Sequence, residues 1–149
     1  MRVLGIDYGR RRIGLARSDE EGLLASPLPV YTRGTRVTDD VGRLARLIRE
    51  LDVARVVLGW PLHMDGTEGD MAAEVRSFAA ELESQTGLSV ELFDERWTSV
   101  QADETLIAGD VPRRRRRQLR DGLSAMLILQ GFLDRERAVR SDPQGDRLR

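Results

Sequence analysis

Short apolar runs that alternate with polar turns predict a sheet in the first third of the chain. Three segments have the length and composition of strands, residues 2–7, 13–18 and 25–32. A tight turn bracketed by Gly9 and Gly14 joins the first two segments, so we expect them to pair as an antiparallel hairpin. Pro27 and Pro29 cannot donate to a sheet ladder, and this favours an edge position for the third strand.

Helical periodicity and short apolar runs alternate over the rest of the chain. Helices and strands are predicted in turn over about residues 38–51, 55–59, 70–86 and 89–93. Thr38 can cap the first of these helices, and the spacing of Thr98 and Gln101 predicts a further helix that ends near Gly109. The most apolar helix is predicted over residues 119–133. This element order predicts an α/β fold with a five-stranded mixed sheet flanked by helices.

A single domain accounts for all of these elements. They fall within residues 1–136, and a chain of 149 residues fits one domain. The segment 137–149 lacks apolar periodicity and contains Pro143 and Gly145, so we expect a disordered tail. No apolar run approaches the ~20 residues of a membrane span, and the first six residues are too short for a signal segment. We therefore expect a cytoplasmic protein with no membrane partner.

The composition restricts the chemistry that the chain can carry out. It has no cysteine, which excludes a disulfide scaffold, a thiol nucleophile and a cysteine-based zinc site. Its one histidine, His63, lies in a polar loop with no partner that the sequence identifies, so we do not expect it to act as a general base. Oxygen ligands remain, and they suit hard cations such as Mg²⁺ or Mn²⁺.

Three acidic residues lie beside the ends of predicted elements. Asp7 ends an apolar strand before a glycine turn, Glu95 follows another strand, and Asp121 lies near the start of the most apolar helix. Each also has an ordinary structural interpretation, as a turn residue, a solvated turn residue and a favourable charge at a helix start. Together they would give a hard-cation site with open positions for substrate oxygens, and they are our candidate catalytic and metal-binding residues.

Arginine clusters are the main charge feature of the chain. All 24 basic residues are arginine, although the net charge is −1. Arginine forms planar, bidentate contacts with phosphate. Two clusters lie near candidate acids in the sequence and are our candidate nucleic-acid contacts: Arg10, Arg11 and Arg12, and Arg113, Arg114, Arg115, Arg116 and Arg117. Runs of like charge are also common on solvated surfaces, where they repel one another and tend to disorder.

Six short segments, in order and with similar spacing, carry a resemblance to a known family. They are Val3–Gly9, Arg12–Gly14, Val57–Pro61, Met64–Thr67, Asp94–Ser99 and Asp121–Gln130. Over roughly residues 1–135 the chain resembles the YqgF/RuvX family of bacteria. Members of that family are described as pre-16S ribosomal RNA nucleases and, in older naming, as Holliday junction resolvases.

The resemblance implies a fold, an activity and a set of acids. The implied fold is ribonuclease-H-like, with the first three strands of the five-stranded sheet antiparallel. The implied activity is hydrolysis of phosphodiester bonds by a nuclease that uses Mg²⁺ or Mn²⁺, and the matching acids are Asp7, Glu95 and Asp121. The chain departs from the family pattern at His63, where asparagine is usual, which argues against an essential imidazole.

The substrate and the assembly are left open by the sequence. The resemblance favours maturation of precursor 16S rRNA, with a four-way DNA junction as the alternative substrate. A junction resolvase cuts two strands symmetrically and should be a two-fold dimer. A trimmer of RNA ends can work alone, so we expect a monomer or a weak homodimer.

Two other classes of function also stay open. One is a nucleic-acid-binding module without catalysis. The other is an ATP-binding protein, because Gly5–Gly9 also resembles the first phosphate-binding segment of sugar kinases and actin-like ATPases. Those proteins enclose a nucleotide between two domains of this fold, and this chain can build only one.

Overall fold

The structure, a computed structural model, describes residues 1–94, Arg96 and residues 113–141, with the backbone alone at residues 113–121 and 141. Glu95, the predicted helix between Thr98 and Gly109, and residues 142–149 lie outside the described residues. The described elements are β1 (Arg2–Tyr8), β2 (Arg12–Ser18), β3 (Ala25–Thr32), α1 (Val37–Glu50), β4 (Val53–Trp60), α2 (Asp70–Thr86), β5 (Val90–Asp94) and α3 (Arg113–Ser141).

The five strands form one mixed sheet in the order β3-β2-β1-β4-β5. β2 pairs antiparallel with both β1 and β3, whereas β4 pairs parallel with both β1 and β5. The predicted mixed sheet, the hairpin and the edge position of β3 are therefore confirmed. The carboxyl ends of β1, β4 and β5 meet at one edge of the sheet, which we call the carboxyl edge.

One face of the sheet packs against α1 and α2. Alternate residues of β1 point to this face, and Leu4, Ile6 and Tyr8 are all buried in it. The ring of Tyr8 stacks on that of Phe78 in α2 with 4.3 Å between the ring centroids. The larger of the two apolar cores of the described residues therefore lies on this side of the sheet.

The opposite face packs against α3. The buried cluster there consists of Val3, Ala16, Val57, Ala125, Ile128, Leu129, Phe132 and Leu133. The helix approaches β1 so closely that a Cβ placed on Gly5 would lie 2.7 Å from Leu129 Cβ. Arg55 in β4 pairs with Glu91 in β5 and, at 3.3 Å, with Glu136 in α3. β1 is thus covered on both faces, which explains its continuous apolar sequence.

Helix α3 is longer than the sequence predicts. It begins at Arg113 and ends at Ser141, whereas apolar periodicity predicted residues 119–133. Arginine has a high intrinsic helix propensity, so the arginine run forms the first turns of the helix instead of a separate segment. The predicted boundary at residue 136 also falls inside the helix, where Arg137 pairs with Asp134 at 2.6 Å. Residues 137–141 are therefore helical, in contrast to the expected disorder of a tail from residue 137 onward.

Helix α1 begins one residue earlier than predicted, and Thr38 does not cap it. The helix begins at Val37, and Arg36 precedes it without a side-chain capping hydrogen bond. The N–H of Asp39 donates to the carbonyl of Arg36 at 3.1 Å, so the backbone closes the first turn and Thr38 is not needed as a cap. None of the described helices is long and apolar enough to cross a bilayer.

Candidate active site

Asp7 lies at the carboxyl edge, next to the last residue of β1, and is half-buried. Its neighbours Ile6 and Tyr8 point into the core with α1 and α2. Because successive side chains of a strand alternate, Asp7 belongs to the face that α3 covers. The sequence analysis placed this carboxylate at a strand end, and the structure confirms that position.

Glycines flank Asp7 on both neighbouring strands. Asp7 pairs with Gly14 in β2. On the other side Ile6 pairs with Leu58 in β4, so the next residue along each strand brings Asp7 beside Gly59. Neither glycine has a side chain, so no side chain from these two positions of the row stands beside the Asp7 carboxylate.

Helix α3 lies over the same row of the sheet. The register of β2 with β3 shifts between Ile13 and Leu15, so Gly14 lies opposite the stretch between Leu28 and Tyr31, which contains Val30. A Cβ on Gly122 of α3 would lie 4.0 Å from Val30 Cγ2. The backbone of Asp121, the preceding helical residue, is thus near the level of Asp7. The Asp121 side chain lies outside the described part of the structure.

The two residues that flank Glu95 in the sequence are held by one ion pair. The carboxylate of Asp94, at the end of β5, accepts hydrogen bonds from the backbone N–H of Arg96 at 3.1 Å and from its Nε at 2.8 Å. The Arg96 guanidinium holds the pKa of Asp94 below its usual value. Arg96 Nη1 also donates to the carbonyl of Met64 at 3.2 Å, and this contact ties the loop after β4 to the end of β5.

His63 lies in the loop after β4, and its recorded contacts are with that same loop. His63 is exposed, and a Cβ on Gly69 would lie 2.7 Å from its Nε2. The backbone N–H of His63 donates to the carbonyl of Thr67 at 2.9 Å, and that of Gly66 donates to the carbonyl of His63 at 2.8 Å. These contacts give the residue a structural role in shaping its own loop. The prediction that His63 is not a general base stays a prediction.

The turn between β1 and β2 carries the first arginine cluster at the same edge. Arg10 and Arg11 are exposed there, and Arg12 is half-buried as the first residue of β2. Arg33 holds this turn, because its Nη1 donates to the carbonyls of Gly9 and Arg10, each at 3.1 Å. The backbone N–H of Arg33 adds a hydrogen bond to the carbonyl of Arg11 at 2.9 Å.

Arg33 is fixed in turn by a buried carboxylate. Its Nε donates to Asp40 Oδ2 at 3.3 Å, and the side chain of Asp40 is 0% exposed. The other oxygen of Asp40 accepts hydrogen bonds from Tyr31 Oη at 2.9 Å and from the backbone N–H of Gly34 at 2.8 Å. A buried charge with all these partners is well compensated, so the network can fix the turn rigidly against α1.

Sequence reasoning missed four residues of this edge: Gly14, Gly59, Arg33 and Arg96. The glycines stand in segments that carry the family resemblance, but only the strand register shows that they lie beside Asp7. The two arginines form hydrogen bonds to backbone carbonyls of distant loops, and no local pattern signals such contacts.

Asp7 is the candidate metal ligand whose side chain the structure describes. Among the side chains that the structure describes, no group of three or more His, Asp or Glu residues is close enough to hold a cation. Asp7 is among these side chains, whereas Glu95 and the Asp121 side chain lie outside them. Asp7 fits a hard cation, because it offers carboxylate oxygens in a row whose neighbouring residues, Gly14 and Gly59, have no side chains. The side chains of the second cluster, Arg113 to Arg117, are likewise outside the described part.

Comparison with known protein sequences places the chain in a family. The sequence profile of RuvX, described as "Holliday junction resolvase", matches residues 1–135. A protein of Syntrophus aciditrophicus named "Putative pre-16S rRNA nuclease" is 46% identical over 134 residues, which cover 90% of this chain and 89% of that protein. A protein of Myxococcus xanthus with the same name is 44% identical over 146 residues, which cover 98% and 96% of the two chains.

Comparison with solved structures supports the fold. RuvC of Thermus thermophilus in complex with a Holliday junction superposes with a TM-score of 0.57 at 19% identity, covering 91% of this chain and 96% of that one. The large terminase nuclease of phage G20c gives a TM-score of 0.50 at 20% identity, covering 87% and 80%. The fold is therefore ribonuclease-H-like, as the resemblance implied. With the profile match and the close relatives, the chain belongs to the RuvX family of nucleases, which hydrolyse phosphodiester bonds.

Proposed function

We propose that this protein is a metal-dependent nuclease that trims the 5′ end of precursor 16S rRNA in the cytoplasm during ribosome biogenesis. The names of the two relatives from Syntrophus aciditrophicus and Myxococcus xanthus support the substrate. The observation that carries the catalytic part is the position of Asp7, half-buried at the carboxyl edge between Gly14 and Gly59. This arrangement places a carboxylate at the sheet edge between two strand positions that carry no side chain.

The proposed ligands of Mg²⁺ or Mn²⁺ are Asp7, Glu95 and Asp121. The backbone of α3 runs past the row of Asp7 at Gly122, which supports a position for Asp121 across from Asp7. Glu95 follows directly after β5, whose carboxyl end meets that of β1 at the same edge. Divalent cations held by such carboxylates supply charge for the scissile phosphate and lower the pKa of a water. The residues of this chain bind and orient the phosphate at that edge.

The experiment that tests this proposal replaces Asp7, the proposed metal ligand whose side chain the structure describes. Asp7→Asn should abolish cleavage of a transcript carrying the 5′ end of precursor 16S rRNA, because an amide carries no charge to hold a cation. Asp52→Asn is the matched control, since Asp52 is exposed before β4, at the opposite end of β1 from Asp7. Its positive φ of 53° is one that asparagine also tolerates.

The assay needs two controls, one for the folding of the variants and one for the dependence on divalent cations. Both variants should melt near the wild-type temperature, and chelation of divalent cations should silence the wild-type protein until Mn²⁺ or Mg²⁺ is restored. Turnover by Asp7→Asn at the wild-type rate would remove Asp7 from the site. Turnover by the wild-type protein in the presence of the chelator would remove the metal.

A four-way DNA junction is the second candidate substrate. The RuvX profile is described by that activity, and the superposed RuvC structure holds such a junction. The two substrates should be incubated with the protein in parallel. Preferred, paired cuts in the junction, together with a dimeric mass in solution, would replace the RNA proposal, because symmetrical cleavage needs a two-fold assembly. Binding of nucleic acid without any turnover would leave a non-catalytic module.

A further inference from the structure

Two further arginines, Arg33 and Arg36, extend the basic surface of the turn between β1 and β2 away from Asp7, toward α1. β3 runs in the same direction as β1, because both pair antiparallel with β2. Thr32 at the end of β3 pairs with Arg12, so the residues after β3 lie beside the turn between β1 and β2. We call the surface formed by Arg10, Arg11 and Arg36, with Arg33 beneath it, the arginine edge.

The outer charges of the arginine edge are available to a ligand. Arg10, Arg11 and Arg36 are exposed, and within the described part of the chain none of them has an ion-pair partner. Asp39 in the first turn of α1 is exposed and offsets one of these charges. The edge therefore keeps an excess of positive charge, in a protein whose net charge is −1.

The arginine edge is also rigid at its base. Arg33 is 17% exposed and links three backbone groups of the turn to the buried Asp40. Flexible arginines lose conformational entropy when they bind, and a backbone that is already fixed reduces this cost. Structural arginines on a solvated surface need no such support. The buried network beneath an exposed cluster is thus the observation that points to a ligand.

We propose that the arginine edge binds the phosphate backbone of the substrate strand as it leaves Asp7 and passes over the ends of β2 and β3 toward α1. Arg36 contacts a phosphate, and Arg33 is a positioning residue that holds Arg10 and Arg11 in place. This inference rests on the proposed nuclease function, and it gives the substrate a direction on the protein. Arginine suits the role because its planar fork matches the oxygens of a phosphate.

The first test compares the two ends of α1. Arg36→Gln removes a charge at the arginine edge, and Arg49→Gln removes one about 20 Å away, from the last turn of the same helix. Arg49 lies at the opposite edge of the sheet, close to Leu51, whose carbonyl accepts a hydrogen bond from Arg2 at the start of β1. Both variants are made in the Asp7→Asn protein so that binding is measured without cleavage.

The probe is the precursor 16S rRNA transcript, titrated at several salt concentrations. Arg36→Gln should weaken binding roughly 3- to 10-fold at low salt and flatten the slope of log K against log salt by about 0.7 to 0.9, the value for one lost phosphate contact. Arg49→Gln should change neither quantity. Equal behaviour of the two variants would overturn the proposal.

The second test concerns Arg33. Arg33→Gln should flatten the salt slope by more than the value for one lost phosphate contact, because Arg10 and Arg11 lose their fixed positions as well. In the cleaving protein it should raise KM more than it lowers kcat. Arg33→Lys keeps the charge but cannot span Asp40 and the carbonyls of the turn, so it should not restore binding. An Arg33→Gln protein that is folded and keeps the wild-type slope would show that Arg33 only stabilises the fold.

A variant of the phosphate-binding arginines themselves tests the proposal even if Arg33→Gln does not fold. Arg10 and Arg11 are exposed, so the double replacement of both by Gln should fold and should flatten the slope by about 1.4 to 1.8. An unchanged slope in that variant would overturn the proposal by itself. The proposed function fails separately, if the wild-type protein neither binds nor cuts the transcript. Wild-type cutting with no effect of any arginine variant would reject the arginine edge alone.

Discussion

Asp40 is a charged residue without solvent contact, and hydrogen bonds to its carboxylate compensate for its burial. Three groups donate to its oxygens, from Arg33, Tyr31 and Gly34. Removing one donor leaves the others in place, so the cost should be that of one hydrogen bond to a charged acceptor. Apolar periodicity could not identify this residue as buried, because an acidic residue in the first turn of a helix is ordinarily a favourable charge near the helix dipole that needs no burial.

Tyr31→Phe tests this network through its pH dependence. At pH 7 the variant should lose about 1 to 2 kcal/mol of unfolding free energy, because Asp40 loses one donor. Burial and the hydrogen bond to Asp40 raise the pKa of Tyr31 above 10.0. Its contribution is therefore complete below pH 10 and is lost as the pH rises through the raised pKa. Denaturant unfolding at pH 7 and pH 11 should show the difference between variant and wild type shrinking. A constant difference would contradict the assignment.

His63 gives a second prediction at this scale. His63→Ala should retain most of the nuclease activity, since the ring packs over Gly69 in its own loop. A general base typically contributes about 10² to 10⁴ in rate. Initial rates of transcript cleavage by the purified variant measure this directly. A loss of about 10²-fold without a change in melting temperature would make the imidazole part of the chemistry.

At the level of elements, β1 and α3 are in close contact at Gly5. Gly5→Ala should destabilise the protein by about 1 to 3 kcal/mol, because the new methyl group would meet Leu129 Cβ at 2.7 Å and the helix would have to move. Gly42→Ala in α1 is the matched control. Nothing lies within 4 Å of a Cβ at Gly42, so that change should stabilise the helix by about 0.5 to 1 kcal/mol.

Urea unfolding of both glycine variants measures the difference. Gly5→Ala should also lower activity, because a shift of α3 moves the helical turn of Asp121 relative to Asp7. If Gly5→Ala were as stable as the wild type, the packing of α3 on β1 would have to be looser than the structure indicates.

The first turns of α3 carry the second arginine cluster. Replacing Arg113, Arg115 and Arg117 with Gln keeps the helix propensity and removes three charges. If these residues contact phosphates, RNA binding should weaken at low salt, and the salt slope should fall by up to about 2 to 3. Unchanged affinity and slope would show that the run is a solvated face. The substrate would then be held at the arginine edge alone.

The sequence predicted elements better than it predicted their ends. Alternating or continuous apolar residues identified all five strands, because burial of a strand imposes its pattern locally. Helix α3 extended beyond its predicted bounds at both ends, since exposed arginines follow no apolar period and still favour a helix. The missed cap of α1 has the same origin, because a backbone contact replaced the expected side chain.

At the scale of the whole molecule, the order of strands determines which residues meet. The sequence could predict that Asp7 ends a strand at an open edge, since both facts follow from neighbouring residues. It could not predict the row that joins Gly14, Asp7 and Gly59, because that row depends on the register of three separate strands. The contacts of Arg33 could not be predicted for a similar reason, since its partners come from the turn between β1 and β2 and from helix α1.

The late position of α3 in the chain has a consequence for synthesis. The sheet can close once β5 has left the ribosome, but Val3, Ala16 and Val57 stay uncovered until Leu133 follows. At bacterial elongation rates this exposure of the nascent chain lasts several seconds, long enough for aggregation or chaperone binding to compete with docking. The proposed site also needs Asp121 from this helix, so a nascent chain should emerge without nuclease activity and acquire it after its last helix is made and docked.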